Sequence, residues 1–112
     1  MKLACATIKP FRRDDVRQAL QRLGVTGMTA SEVKGFGRQR GQSDSYRGMK
    51  YQVFFLPKIK IKVWVPDALA DAARESITAA SRTGKIGEGK ILVLDVGQAT
   101  RVRTVATGDQ AI

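Results

Sequence analysis

The stretch Lys58-Ile59-Lys60-Ile61-Lys62-Val63-Trp64-Val65 decides the fold class. Ile59, Ile61, Val63 and Val65 fall at every second position, and Lys58, Lys60, Lys62 and Trp64 occupy the positions between. An unbroken period of two marks a β-strand with one face against a core. Downstream, Pro66-Asp67 opens a helix with Leu69, Ala72, Ala73, Ser76, Ile77 and Ala80 on its buried side. A glycine-rich loop at about 82–90 then feeds an apolar strand at 91–96. Upstream the same order occurs. Residues 2–8 read as a strand that Pro10 ends, and Val16, Ala19, Leu20 and Leu23 space out one face of a helix over 13–23. Asp14 and Asp15 suit the start of that helix and Gly24 its stop. A weakly alternating strand follows over 26–36.

Two strand–helix–strand units in 112 residues predict one domain over 1–112. Its class is α+β: a ferredoxin-like βαββαβ sandwich, an antiparallel sheet with two helices on one face. The uncovered face would show Trp64 among three lysines, which points to subunit association or a bound ligand. Between the two units, Gly37 to Lys50 is polar and without period, a length that usually means function or disorder. Arg101-Val102-Arg103 alternates as an extended piece would, within a C-terminal segment over 97–112. Cys5 is expected as a small core residue of the first strand.

Composition narrows the chemistry. The chain has no histidine and a single cysteine, which removes imidazole metal sites, Ser/His hydrolysis, an internal disulfide and a cysteine metal cluster. No apolar run approaches the ~20 residues that span a bilayer, and the amino terminus lacks a signal-peptide pattern, so the expected location is cytoplasmic. Twenty Lys and Arg against ten Asp and Glu leave a charge of +10. The excess is concentrated: from Lys34 to Lys62 there are eight basic residues and one acid, Asp44. Such a field draws phosphates, carboxylates, nucleic acid or anionic lipid, and charge alone does not choose among them.

Two glycine-rich segments, Gly35-Phe36-Gly37-Arg38-Gln39 and Gly84 to Lys90, could turn backbone amides toward a phosphate chain. The second lacks the Lys-Ser/Thr ending of a Walker loop, and the first lacks the third glycine and following helix of a dinucleotide fingerprint. With Lys58, Lys90, Arg101 and Arg103 they supply cations for a polyphosphate, so an anionic nucleotide is the expected ligand. Lys34-Gly35-Phe36-Gly37 also opens like an RNA-recognition signature, but Arg38, Gln39 and Arg40 stand where aromatics are needed. With 6% aromatic residues there is little to stack bases on, and no nucleic-acid partner is expected. Asp95 reads as a strand-end polar residue and Glu88 as a solvated loop acid; neither has a partner in sequence for catalysis, and the chain reads as a non-enzyme.

Several unrelated motifs occur in order: Ile8-Lys9-Pro10-Phe11, Asp14-Asp15-Val16-Arg17, Gly27-Met28-Thr29, Glu32 to Gln39, Tyr46-Arg47-Gly48, Phe55-Leu56-Pro57-Lys58, Thr83 to Lys90 and Arg101-Val102-Arg103-Thr104. Over essentially its full length the chain resembles the PII signal-transduction proteins, the nitrogen-regulatory family. The resemblance implies a cytoplasmic homotrimer that carries nitrogen and carbon status to target enzymes or a membrane transporter. Recruitment to the membrane would come through the transporter. The long 37–55 segment would be the T-loop that docks on targets. ATP or ADP would bind between subunits, held by Gly35, Gly37, Arg38, Gln39, Gly87, Gly89 and Lys90, with Arg101 and Arg103 reaching over from the neighbour. Thr29 and backbone near Trp64 would hold the adenine. Gln39 would help hold Mg²⁺, and Lys58 would pair with a 2-oxoglutarate carboxylate. The resemblance also puts Tyr51 where a uridylyltransferase modifies many bacterial members, with a plain loop aromatic as the alternative, and Arg47 where a guanidinium plugs an ammonium channel.

The chain departs from the family pattern at Met49, Lys50, Phe54, Lys62 and Glu88. Met49 and Lys50 replace a small residue and an acid beside Tyr51, Phe54 and Lys62 stand where acids are common, and Glu88 replaces an Asp. A more cationic T-loop favours a different partner. The alternative expectation is therefore a divergent PII-like regulator of another transporter, such as a metal-efflux system, without uridylylation.

Overall fold

The computed structural model describes residues 1–36, 55–85 and 88–112. Strand β1 (Lys2–Ile8) leads through a short 3-10 turn at Pro10–Arg12 into helix α1 (Arg13–Arg22). Strands β2 (Thr29–Gly35) and β3 (Leu56–Val65) follow, then helix α2 (Ala70–Ser81) and strand β4 (Ile91–Asp95). All strand pairs are antiparallel, in the order β2-β3-β1-β4. Each strand–helix–strand unit is split by a strand of the other, which is the ferredoxin-like arrangement.

The alternation in β3 determines the layering. Ile59, Ile61, Val63 and Val65 are buried together with Ala4, Ala6 and Ile8 of β1 beneath Val16 and Leu20 of α1 and Ala70, Ala73 and Ile77 of α2. Alanines on β1 and α2 let helix and sheet approach, and each buried Ile, Leu or Val adds roughly 1.5–3 kcal/mol. Helix α1 ends as its Gly24 requires: φ is +87°, the Val25 amide donates to the Leu20 carbonyl at 3.1 Å and the Gly24 amide to Gln21 at 3.0 Å. Those two bonds form a Schellman end, which closes on a left-handed residue.

Four expectations need correction. Strand β2 is shorter than 26–36 and mostly exposed even on its helix side, because it lies at the sheet edge beyond the helices. Cys5 is in a strand but on the face opposite the helices, opposite Lys62 and Leu92 and only half-buried. Lys58, read as one of the exposed lysines, is 8% exposed. Finally, 101–104 is a turn, not an extended piece: the Val105 amide donates to the Arg101 carbonyl at 2.8 Å, and the Arg101 amide to Ala106 at 2.8 Å. Alternation over three residues is too short to distinguish a strand from a turn.

Candidate functional site

The described candidate residues gather at the two ends of β3. At its Val65 end, a cleft of about 790 Å³ is lined by Met28, Thr29, Trp64, Pro66, Gln98 and Arg101, among others. Thr29 pairs with Lys62, so its side chain and that of Trp64 share the face away from the helices. The chain from Gly24 to Met28 forms one wall and Val96–Thr100 another, which gives the cleft backbone amides and carbonyls beside an indole. Three expected residues, Thr29, Trp64 and Arg101, meet here. Arg103 does not line the cleft; it sits exposed in the adjoining turn.

At the other end of β3, Gly35 pairs with Leu56, and a methyl on Gly35 would touch the Lys58 stem, 3.9 Å from Cγ. A smaller cavity of about 420 Å³ lies beside it, lined by Pro10, Glu32, Lys34 and Lys58. Burial lowers the Lys58 pKa below the ordinary lysine value, and the neighbouring charge of Lys9 lowers it further. Gly89 and Lys90 arrive at this end of the sheet as well. The Thr7 amide donates to the Lys90 carbonyl at 3.3 Å, and Gly89 lies so close to Thr7 that a Cβ would stand 2.0 Å from its carbonyl oxygen. At φ +87° Gly89 is doubly committed to glycine.

Glu88, which the sequence offered as a solvated acid, ties this loop together instead. Its carboxylate accepts from the amides of Thr83 and Gly84, the latter at 2.7 Å, and those bonds hold its pKa below the usual carboxylate value. Lys9 donates to the Thr83 hydroxyl at 3.3 Å. Lys9, Thr83 and Glu88 therefore close this loop; Thr83 and Glu88 belong to one stretch of sequence, and nothing local in the sequence links Lys9 to them. At the neck of the long segment, Phe36 and Phe55 meet edge to face with ring centres 5.0 Å apart. Gly37, Arg38, Gln39, Arg47, Tyr51 and Gly87 lie outside the described residues. Among the described residues no group of three His, Cys, Asp or Glu could hold a metal, and no helix is long and apolar enough to cross a membrane.

A sequence profile described as Nitrogen regulatory protein P-II matches residues 1–106. The chain belongs to the nitrogen regulatory P-II family. It is 54% identical to Nitrogen regulatory protein P-II 1 of Escherichia coli (strain K12), over 112 residues and 100% of both chains. The P-II proteins of Klebsiella oxytoca and Rhodobacter capsulatus are 53% and 52% identical over the same full span. Membership makes this P-II chain a nitrogen signal-transduction regulator, of a family whose members are regulators rather than enzymes and interact with target enzymes and transporters.

Proposed function

We propose that this P-II chain works as a homotrimer that binds ATP or ADP between neighbouring copies and reports their occupancy, together with 2-oxoglutarate, through the 37–55 segment. The observation that carries the reading is the division of the candidate residues. Thr29, Trp64 and Arg101 stand at one end of β3, and Gly35, Lys58, Gly89 and Lys90 at the other. Six residue steps of strand, five residues lying between, carry the chain from Lys58 to Trp64, which is roughly 20 Å. Each end by itself is half a nucleotide site. A second copy that sets its Arg101 end against the Lys58 end of the first would complete one. The same association would cover Trp64, Leu92 and Leu94, which are exposed on the face away from the helices.

In the completed site the cleft at Thr29 and Trp64 would take the adenine. Lys90 and the glycine segments would take the phosphates, with Arg101 and Arg103 of the neighbour neutralising their charge. Burial disfavours the Lys58 ammonium, so a carboxylate of 2-oxoglutarate beside it gains a partner whose charge is little screened by water. Magnesium takes hard oxygen donors, and Gln39 would offer its amide oxygen to hold the ion. When bound, the ion neutralises phosphate charge.

Calorimetric titration tests this directly. ATP should bind, and 2-oxoglutarate should tighten it. The double substitution Arg101→Glu/Arg103→Glu should abolish ATP binding while light scattering still reports the trimer. Unchanged ATP affinity in that variant would refute the site.

A further inference from the structure

We propose that Lys60 and Lys62, together with the same residues of neighbouring copies, form a site for an inorganic oxyanion of the phosphate class, separate from the nucleotide clefts. The inference rests on the self-association proposed above. Lys60 and Lys62 lie in the middle of β3, on the face away from the helices. Lys60 is flanked across the sheet by Thr7 on β1 and Ser31 on β2, and Lys62 by Cys5 and Thr29. Directly paired residues share a face, so three hydroxyl side chains border the two lysines. Both lysines are half-buried, and among the described residues neither makes an ion pair.

Among the described residues this face of the sheet holds no acid. Leu3, Trp64, Leu92 and Leu94 make up its apolar part. Glu32 lies on the opposite face of β2, in register with Ile59. Asp95 is bound by Lys2, and Glu88 by the amides of its own loop. The acids of α1 and α2 belong to the helix layer.

The apolar part and the lysines therefore pull in opposite directions. Covering Trp64, Leu92 and Leu94 with further copies removes apolar surface from water. The same step brings Lys60 and Lys62 of every copy under cover. Two residues apart on one strand, they stand roughly 7 Å from each other. Their repulsion grows as water leaves, and a covered ammonium without a partner is costly. Copies that meet through this face bring more lysines and no acid, so the compensating charge comes from solution. An ammonium is a compact point charge with three donors, and the bordering hydroxyls donate as well. An oxyanion with several charges and several acceptor oxygens answers both, whereas chloride brings a single charge. No copy contains this site alone.

The test uses the full chain in low-salt buffer free of phosphate, with inorganic phosphate as the probe and chloride at matched ionic strength as the comparison. Phosphate should raise the melting temperature by several degrees more than chloride does, because a ligand of the assembled state stabilises it. Calorimetry should show phosphate binding that survives Arg101→Glu/Arg103→Glu, which keeps it apart from the nucleotide cleft. Lys62→Glu supplies the missing acid beside Lys60. It should weaken phosphate binding at least roughly tenfold, keep trimer mass and ATP affinity, and melt no lower than the unaltered chain in phosphate-free buffer. Lys62→Gln removes a charge without adding an acid and should weaken phosphate binding by a smaller factor. A trimer indifferent to phosphate overturns the inference alone. Phosphate binding that disappears in the arginine variant, or persists in full in both Lys62 variants, also overturns it. A chain of monomer mass overturns it together with the trimer reading. A trimer that takes phosphate as expected but binds no ATP supports this site and refutes the nucleotide reading.

Discussion

Two residues carry most of what individual side chains decide. Gly89 was read as a phosphate-loop glycine, and its nearest obligation is to the sheet: the Thr7 carbonyl occupies the space a Cβ would need. Gly89→Ala should cost more than the ~1–2 kcal/mol of an unfavourable left-handed residue, because the clash with backbone adds to it. Gly84→Ala, with φ +77° and nothing within 4 Å, should cost only that strain, so the two denaturation midpoints should separate clearly. Lys58 is the reverse case, a charge kept where water is scarce. Its folded pKa lies below the unfolded value of about 10.4, so the native state gives up the proton first. Lys58 therefore adds stability as pH rises through the window between its folded and unfolded pKa values. Lys58→Met should remove that alkaline rise in melting temperature and should also remove any tightening of ATP by 2-oxoglutarate.

Among the elements, β3 was legible and the loops were not. Strict alternation between a core face and a lysine face leaves a strand one choice of register, since a one-residue slip would put four lysine-face side chains into the core. The loop at 82–90 shows no such pattern; its closure depends on a carboxylate reaching two amides at 83 and 84 and on Lys9, which is remote in the sequence. Glu88 has a lowered pKa, so its contribution is present above the unfolded carboxylate pKa of about 4.3 and is lost as pH falls through the folded value. Glu88→Gln should flatten the acid limb of the stability profile measured by thermal melts from pH 3 to 7, values chosen to bracket that range. The 101–105 turn was misread for the same reason: its shape comes from two backbone hydrogen bonds and one unusual φ, none of which has a sequence period.

For the whole molecule, the helices cover one face of the sheet and leave Leu92 53% and Leu94 47% exposed on the other, beside Trp64. Apolar residues on an open face and its edge strand invite pairing with another chain. Leu94→Lys should therefore yield a folded species of monomer mass by light scattering with its ATP affinity lost, since half of each site would then be missing. An intact trimer in that variant would show that this face is not the interface. By itself the sequence determined the fold class, the strand–helix order and the buried face of β3, because periods of 2 and 3.6 are properties of neighbouring residues and survive without any tertiary contact. It also supplied the basic and glycine residues of the proposed site, of which the structure describes Gly35, Lys58, Gly89, Lys90, Arg101 and Arg103. Only the tertiary structure decided that these residues divide between the two ends of one strand, that Lys58 is buried and that Glu88 closes a loop. Those facts depend on which distant segments meet, and the spacing of residues along the chain does not encode distance across a sheet.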